Sequence, residues 1–193
     1  AGLNFVVPTE FVEIPSRGKY YPENHPLHNQ TTVEIRHMTA KEEDILTSRT
    51  LLKKGLAIDR MLQSVCVDRV DINSLLIGDK NALMVAARVT GYGPTYPVTY
   101  QCPECRASAE LEFDLSTFKG LEPDPEWCKK YNVRMNDNGY YITLPKTKVT
   151  ANVRFLTGHD ETKLDKLAGN KKKANLGESR MIDQFRLMIV DLN

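Results

Sequence analysis

The repeat period of the apolar residues changes near Gly91-Tyr92-Gly93-Pro94, and that change limits the folds open to the chain. Before it, Ile58, Met61, Leu62, Val65 and Cys66 recur at i, i+3, i+4, i+7 and i+8, the spacing of one helical face. After it, Tyr96, Val98 and Tyr100 alternate with polar residues, and so do Ala109, Leu111 and Phe113, the spacing of half-buried strands. Helices followed by hairpins, rather than a regular βα alternation, predict an α+β protein. The expected order is an extended N-terminal arm over 1–38, a three-helix unit over 39–94, a β-rich unit over 95–156 and C-terminal helices over 157–193.

Local signals sharpen these boundaries. Pro15-Ser16-Arg17-Gly18 marks a turn, and Val33 and Ile35 place a strand within 31–37. The arm has little apolar mass of its own, so it must lie across something else to be ordered. Thr39-Ala40-Lys41-Glu42 is a capping box, predicting a helix through Ile45, Leu46, Leu51 and Leu52 that ends at Gly55. A third helix starts near Ser74 or Asp79 and passes Leu83 and Ala87. Asp137-Asn138-Gly139 is a hairpin signal, and Tyr141–Leu144 should pair with Val149–Phe155. His159–Leu167 reads as a short helix, Gly169–Lys173 as a solvated basic turn, and Leu176–Leu192 as a final helix. The final helix carries a stripe of Met181, Ile182, Phe185, Met188, Ile189 and Leu192 that still runs at Asn193. A partner covering this end, or a longer gene product, would complete it. The sequence reads as having no internal repeats and no low-complexity tract.

Charge and cysteine content narrow the function. Lys and Arg number 26 against 25 Asp and Glu, a formal net charge of +1. A dedicated nucleic-acid binder concentrates positive charge against phosphates, and this chain does not. Lys171–Lys173 is too short for such a footprint and reads as a solvated loop. No apolar run reaches the roughly 20 residues that span a bilayer, and no signal-peptide pattern opens the chain, which predicts a soluble, cytosol-type protein. No nucleophile elbow, phosphate-binding loop or zinc-protease motif occurs, so no catalytic residues can be named. His25 and His28 read as parts of a solvated turn.

The four cysteines are too few for a disulfide scaffold. Cys102-Pro103-Glu104-Cys105 falls between two predicted strands, where a tight turn aims both sulfurs at one tetrahedral zinc ion. A closed site takes four ligands. Cys128 is the third candidate, His159 a conceivable fourth, and a cysteine from another chain or a later segment would serve as well. Reduced, unliganded thiols are the alternative. A redox role fits worse, because thioredoxin-type pairs open a helix.

Several stretches together carry a resemblance. Ile14-Pro15-Ser16-Arg17-Gly18-Lys19-Tyr20-Tyr21, Met38-Thr39-Ala40-Lys41-Glu42-Glu43-Asp44 and Leu52-Lys53-Lys54-Gly55 are similar to the baseplate hub subunit family of T-even-type contractile-tailed bacteriophages. So are Leu75-Leu76-Ile77-Gly78-Asp79-Lys80-Asn81-Ala82-Leu83, then Arg88, Tyr92-Gly93, Tyr96 and Cys102-Pro103-Glu104-Cys105. The likeness covers about residues 12–115 in order. It implies a non-enzymatic virion or assembly protein, made in the host cytoplasm and placed in the tail baseplate. Its partners would be other baseplate proteins, in several copies, without nucleic acid, membrane or small-molecule substrate. The alternatives are an assembly chaperone absent from the mature particle and, from another class, a zinc-ribbon-like adaptor that binds nucleic acid.

Overall fold

A computed structural model describes residues 6–118, 120, 123–173 and 180–193, without the side chains of 171–173. Phe5 and the first part of the expected final helix, residues 176–179, lie outside these. The architecture is α+β. Strands β1 (Thr9–Glu13) and β2 (Thr32–Arg36) pair antiparallel. Helices α1 (Ala40–Thr47), α2 (Arg49–Lys53), α3 (Ala57–Val65) and α4 (Ile77–Tyr92) follow. An antiparallel ribbon, β3 (Thr95–Gln101) and β4 (Ser108–Asp114), leads to α5 (Pro125–Lys130). Strands β5 (Arg134–Asn136), β6 (Gly139–Thr143) and β7 (Thr150–Arg154) precede α6 (Gly158–Lys173), α7 (Arg180–Met188) and β8 (Ile189–Leu192). The last sheet has the order β5-β6-β7-β8. No helix among the described residues is long and apolar enough to cross a membrane.

The chain makes two compact units. One comprises the described residues of Ala1–Glu13, Thr32–Arg69 and Asn81–Gly120; the other comprises those of Ile14–Thr31, Val70–Lys80 and Leu121–Asn193. In the first, Val33, Ile35, Ala57, Met61, Leu62, Val65, Leu83 and Ala87 are buried. The buried set of the second includes Ile14, Tyr21, Leu27, Ile72, Leu75, Ala151, Val153, Leu156 and Leu164.

Several sequence expectations need correction. The helix expected from Thr39 to Gly55 breaks at Ser48, whose ψ of 109° is extended, so α1 and α2 are separate. Gly55 does end the second piece, at φ +67°. The basic segment 169–173 is not a turn: α6 continues through it to Lys173. The final helix stops at Met188, and Ile189–Leu192 turns into β8 against β7. Within the expected N-terminal arm, Ile14, Tyr21, Leu27, Val33 and Ile35 are buried in this chain, while Val6 and Phe11 are exposed.

The larger correction is that the chain contains an internal repeat. Thr32-Val33-Glu34-Ile35-Arg36-His37-Met38-Thr39-Ala40-Lys41-Glu42-Glu43 and Thr150-Ala151-Asn152-Val153-Arg154-Phe155-Leu156-Thr157-Gly158-His159-Asp160-Glu161 share an R-x-x-T-x-x-[DE]-E core. Each copy begins with the second strand of an antiparallel hairpin, β1–β2 or β6–β7. Strands β2 and β7 share one alternation, with Val33 and Ile35 buried in one and Ala151 and Val153 in the other. Each first strand runs into an apolar residue and proline, Ile14-Pro15 or Leu144-Pro145. After the capped helix, each copy has a helix opening near Ile-Asp (Ile58-Asp59, Ile182-Asp183). The chain then returns antiparallel to the hairpin: Cys66 bridges Ile35, and Ile189 pairs with Val153.

One buried carboxylate organises each copy. Glu42, fully buried at the third position of α1, accepts from Arg36 Nη1 (3.1 Å) and Nη2 (2.6 Å), Ser64 Oγ (2.7 Å), Thr39 N–H (2.9 Å) and Thr39 Oγ1 (2.7 Å). Asp160 at the same place in α6 accepts from Arg154 Nη1 (2.8 Å) and Nη2 (2.9 Å), and from Thr157 N–H (3.0 Å) and Oγ1 (3.2 Å). Burial pushes both carboxyls up, but the arginine, threonine and (for Glu42) Ser64 donors outweigh it and hold them well below the usual carboxylate range. Removing one partner of such a pair leaves an uncompensated buried charge. Arg36→Met should therefore lower stability by about 3 kcal/mol in urea unfolding followed by circular dichroism. Arg154→Met should act in the same direction and less strongly, because its side chain is more exposed, 30% against 23%.

Candidate functional site

The loop joining β1 to β2 is far longer than the one joining β6 to β7, and it carries the Ile14–Tyr21 motif. Arg17 (φ +50°) and Gly18 (φ +70°) both adopt left-handed backbone there. A Cβ on Gly18 would collide with the backbone of Leu27 and Gln30, so only glycine fits this turn. The turn presents Ser16 and Tyr21 to Asp79, which is 1% exposed. Asp79 accepts from Ser16 N–H (2.9 Å), Ser16 Oγ (2.5 Å) and Tyr21 Oη (2.8 Å). Tyr21 Oη accepts in turn from Leu76 N–H (3.0 Å). Burial, and then the Asp79 charge, push the Tyr21 phenol well above its ordinary range, so it stays a donor. Asp79 thus stands at the start of α4 as a lock on the loop, rather than as a simple helix cap.

His25 and His28, expected in a solvated turn, are instead half-buried staples. Leu27 N–H donates to His25 Nδ1 (3.1 Å), so the proton of the neutral ring sits on Nε2, 2.9 Å from Ser74 Oγ. The Tyr21 ring stacks on His25 with centroids 4.3 Å apart. Burial lowers the pKa of His25, favouring this neutral form, while Asp71 opposes the shift. His28 Nδ1 lies 2.7 Å from the Tyr21 carbonyl oxygen. Tyr20 packs on Phe155, centroids 4.7 Å apart, tying the loop to the second hairpin. Residues 75–77 complete the join: Ile77 N–H donates to the Leu156 carbonyl, Gly158 N–H to the Leu75 carbonyl, and Lys80 Nζ pairs with Glu161 at 2.9 Å.

A cleft of about 650 Å³ opens in this unit, lined by Tyr20, His25, Asn136, Asn152, Arg154 and His159 among others. Two of its polar side chains are committed to structural bonds, Arg154 to Asp160 and His25 to Ser74.

Arg88, Tyr92, Gly93 and Tyr96 converge at the base of the β3–β4 ribbon. Arg88 donates to the carbonyls of Gly93 (2.8 Å) and Thr95 (3.3 Å), and its guanidinium lies over the rings of Tyr92 (5.1 Å) and Tyr96 (5.8 Å). At the ribbon's tip sit Cys102, half-buried, and Cys105, exposed. Arg106, at φ +58°, closes the turn: its N–H donates to the Cys102 carbonyl and Cys102 N–H to the Ala107 carbonyl, both at 2.9 Å. The amides of Cys105 and Glu104, and the Cys105 thiol, donate to the Cys102 sulfur and lower its pKa. Cys128 belongs to α5 in the other unit, and among the described residues no three His, Cys, Asp or Glu side chains gather around one metal position. Cys66 is a half-buried thiol, pushed up to about 11 by burial and by Asp68.

A family model described as T4 bacteriophage base plate protein matches residues 8–151. The chain belongs to that family. The matched span contains the loop lock at Asp79, the Glu42 lock, the Arg88 clamp and the cysteine turn. No curated protein and no solved structure matches the chain.

The sequence showed each of these motifs but not that they meet. Ser16 and Tyr21 lie more than fifty residues from Asp79, and only the fold joins them. Tyr21→Phe removes one donor from Asp79 and leaves the Leu76 amide without its acceptor. It should cost about 2 kcal/mol in chemical unfolding while leaving the secondary structure intact by circular dichroism.

Proposed function

We propose that this chain is a structural subunit of the hub region of a contractile phage tail baseplate, acting through protein–protein contacts and without catalysis. The match of residues 8–151 to the base plate family carries the reading. Its physical features suit the role. Conspicuous polar groups are spent on holding the chain together: Glu42, Asp79 and Asp160 are buried and fully engaged. Several large apolar side chains are left outside, among them Met181, Ile182 and Phe185 on α7, and Val190 and Leu192 on the edge strand β8. An edge strand with outward apolar residues is a ready surface for another chain. The near-zero net charge lets many copies pack closely, since mutual repulsion is small.

Quantitative mass spectrometry of purified mature particles tests this reading. A small fixed copy number relative to other tail proteins is the expected result. Absence from mature particles, with presence in assembly intermediates, would make the chain an assembly chaperone instead.

A further inference from the structure

The β3–β4 ribbon is amphipathic. Its register aligns Tyr96 with Phe113, Val98 with Leu111 and Tyr100 with Ala109, so one face is apolar throughout. The other face carries Thr95, Pro97, Thr99, Gln101, Ser108, Glu110, Glu112 and Asp114. Yet Tyr96, Tyr100, Leu111 and Phe113 are each between 44% and 49% exposed. An isolated two-stranded ribbon is marginal in water, and Arg88 fixes only its base. The tip needs a second fastening.

The cysteine turn has the form of half a metal site. A tight backbone turn, closed by Arg106 N–H on the Cys102 carbonyl and Cys102 N–H on the Ala107 carbonyl, holds Cys102 and Cys105 together at the C-x-x-C spacing of a zinc knuckle. Zinc in a closed structural site takes four ligands, and thiolates are favoured among them. Among the described residues no third ligand joins this pair. Cys66 is half-buried at the end of α3, where it bridges Ile35, and burial raises the pKa of its thiol.

We propose that Cys102 and Cys105 hold a structural Zn²⁺ shared with a second copy of this chain, whose own Cys102 and Cys105 complete a tetrahedral tetrathiolate. A two-fold axis through the metal closes the site with identical halves, as an isologous interface requires. The same axis lets the apolar faces of the two ribbons cover one another, which accounts for a face that this chain alone leaves wet. Each cysteine thiol gives up its proton as it binds the metal as thiolate, so metal uptake releases protons and weakens as pH falls.

The test uses the full chain, purified reduced, saturated with Zn²⁺ and desalted. Its metal content is read by elemental mass spectrometry and its mass by light scattering. One zinc per two chains in a dimer that EDTA converts to monomer is the expected result. Cys102→Ser with Cys105→Ser should lose both metal and dimer, whereas Cys128→Ser should keep both. One zinc per monomer, lost on Cys128→Ser, would overturn the proposal in favour of a site within one chain. Failure to retain zinc, or a dimer unaffected by EDTA, would overturn it outright. The wild-type metal ratio and its response to EDTA decide the matter even if the double variant fails to fold. None of these readouts depends on where the chain resides in the particle.

Discussion

A carboxylate buried at the third position of a helix, gripped by an arginine from the strand before it, is the constraint on which each copy of the repeat depends. Glu42 and Asp160 each tie a strand, the turn after it and the next helix into one piece. Spacing explains why the device recurs. With arginine ending the strand, threonine three residues later as the N-cap and the acid three beyond that, the carboxylate reaches both the guanidinium and the cap amide. The arrangement fixes where the helix begins and the angle at which it leaves the strand. The hydrophobic core can then form on either side of that corner.

Asp79 uses the same chemistry over a long separation. Its three donors come from one inserted loop, so the loop cannot leave without stripping a buried carboxyl group of those partners. This gives the conspicuous Ile14–Tyr21 and Leu75–Leu83 motifs a physical reason. They are the two halves of a fastening, and neither resembles a reaction centre. A baseplate protein must keep its shape while its neighbours bear on it, and locks of this kind resist local opening.

Much of this was legible in the sequence, and the rest was hidden for identifiable reasons. The capping box at Thr39–Glu42, the helical face of 58–66, the Asp137-Asn138 hairpin and the cysteine turn follow from local rules, and each stands where expected. The repeat is hard to see in the sequence because its copies share few identical residues and because the long loop after β1 disguises their common length. The sequence predicts helix where β8 forms because Ile189 and Leu192 continue the apolar stripe of α7, and a short apolar run does not distinguish strand from helix. The arm's burial was also unreadable, since Ser16 and Tyr21 advertise no partner until Asp79 is placed beside them. Whether Cys128 joins the other cysteines was likewise beyond spacing, which says nothing about distance in space.

The central claim is that Glu42 and Asp160 are ionised, buried and essential to the fold. Their native pKa values are depressed relative to the unfolded chain, so their contribution is fully present above pH ~4 and is lost as pH falls through the native values. The most direct measurement is a carbon-13 NMR titration of the side-chain carboxyls from pH 7 downward. The account requires both to remain ionised after the exposed acids have titrated, and to protonate only as the native amide spectrum collapses. Titration of either carboxyl near pH ~4 with the native spectrum intact would contradict it.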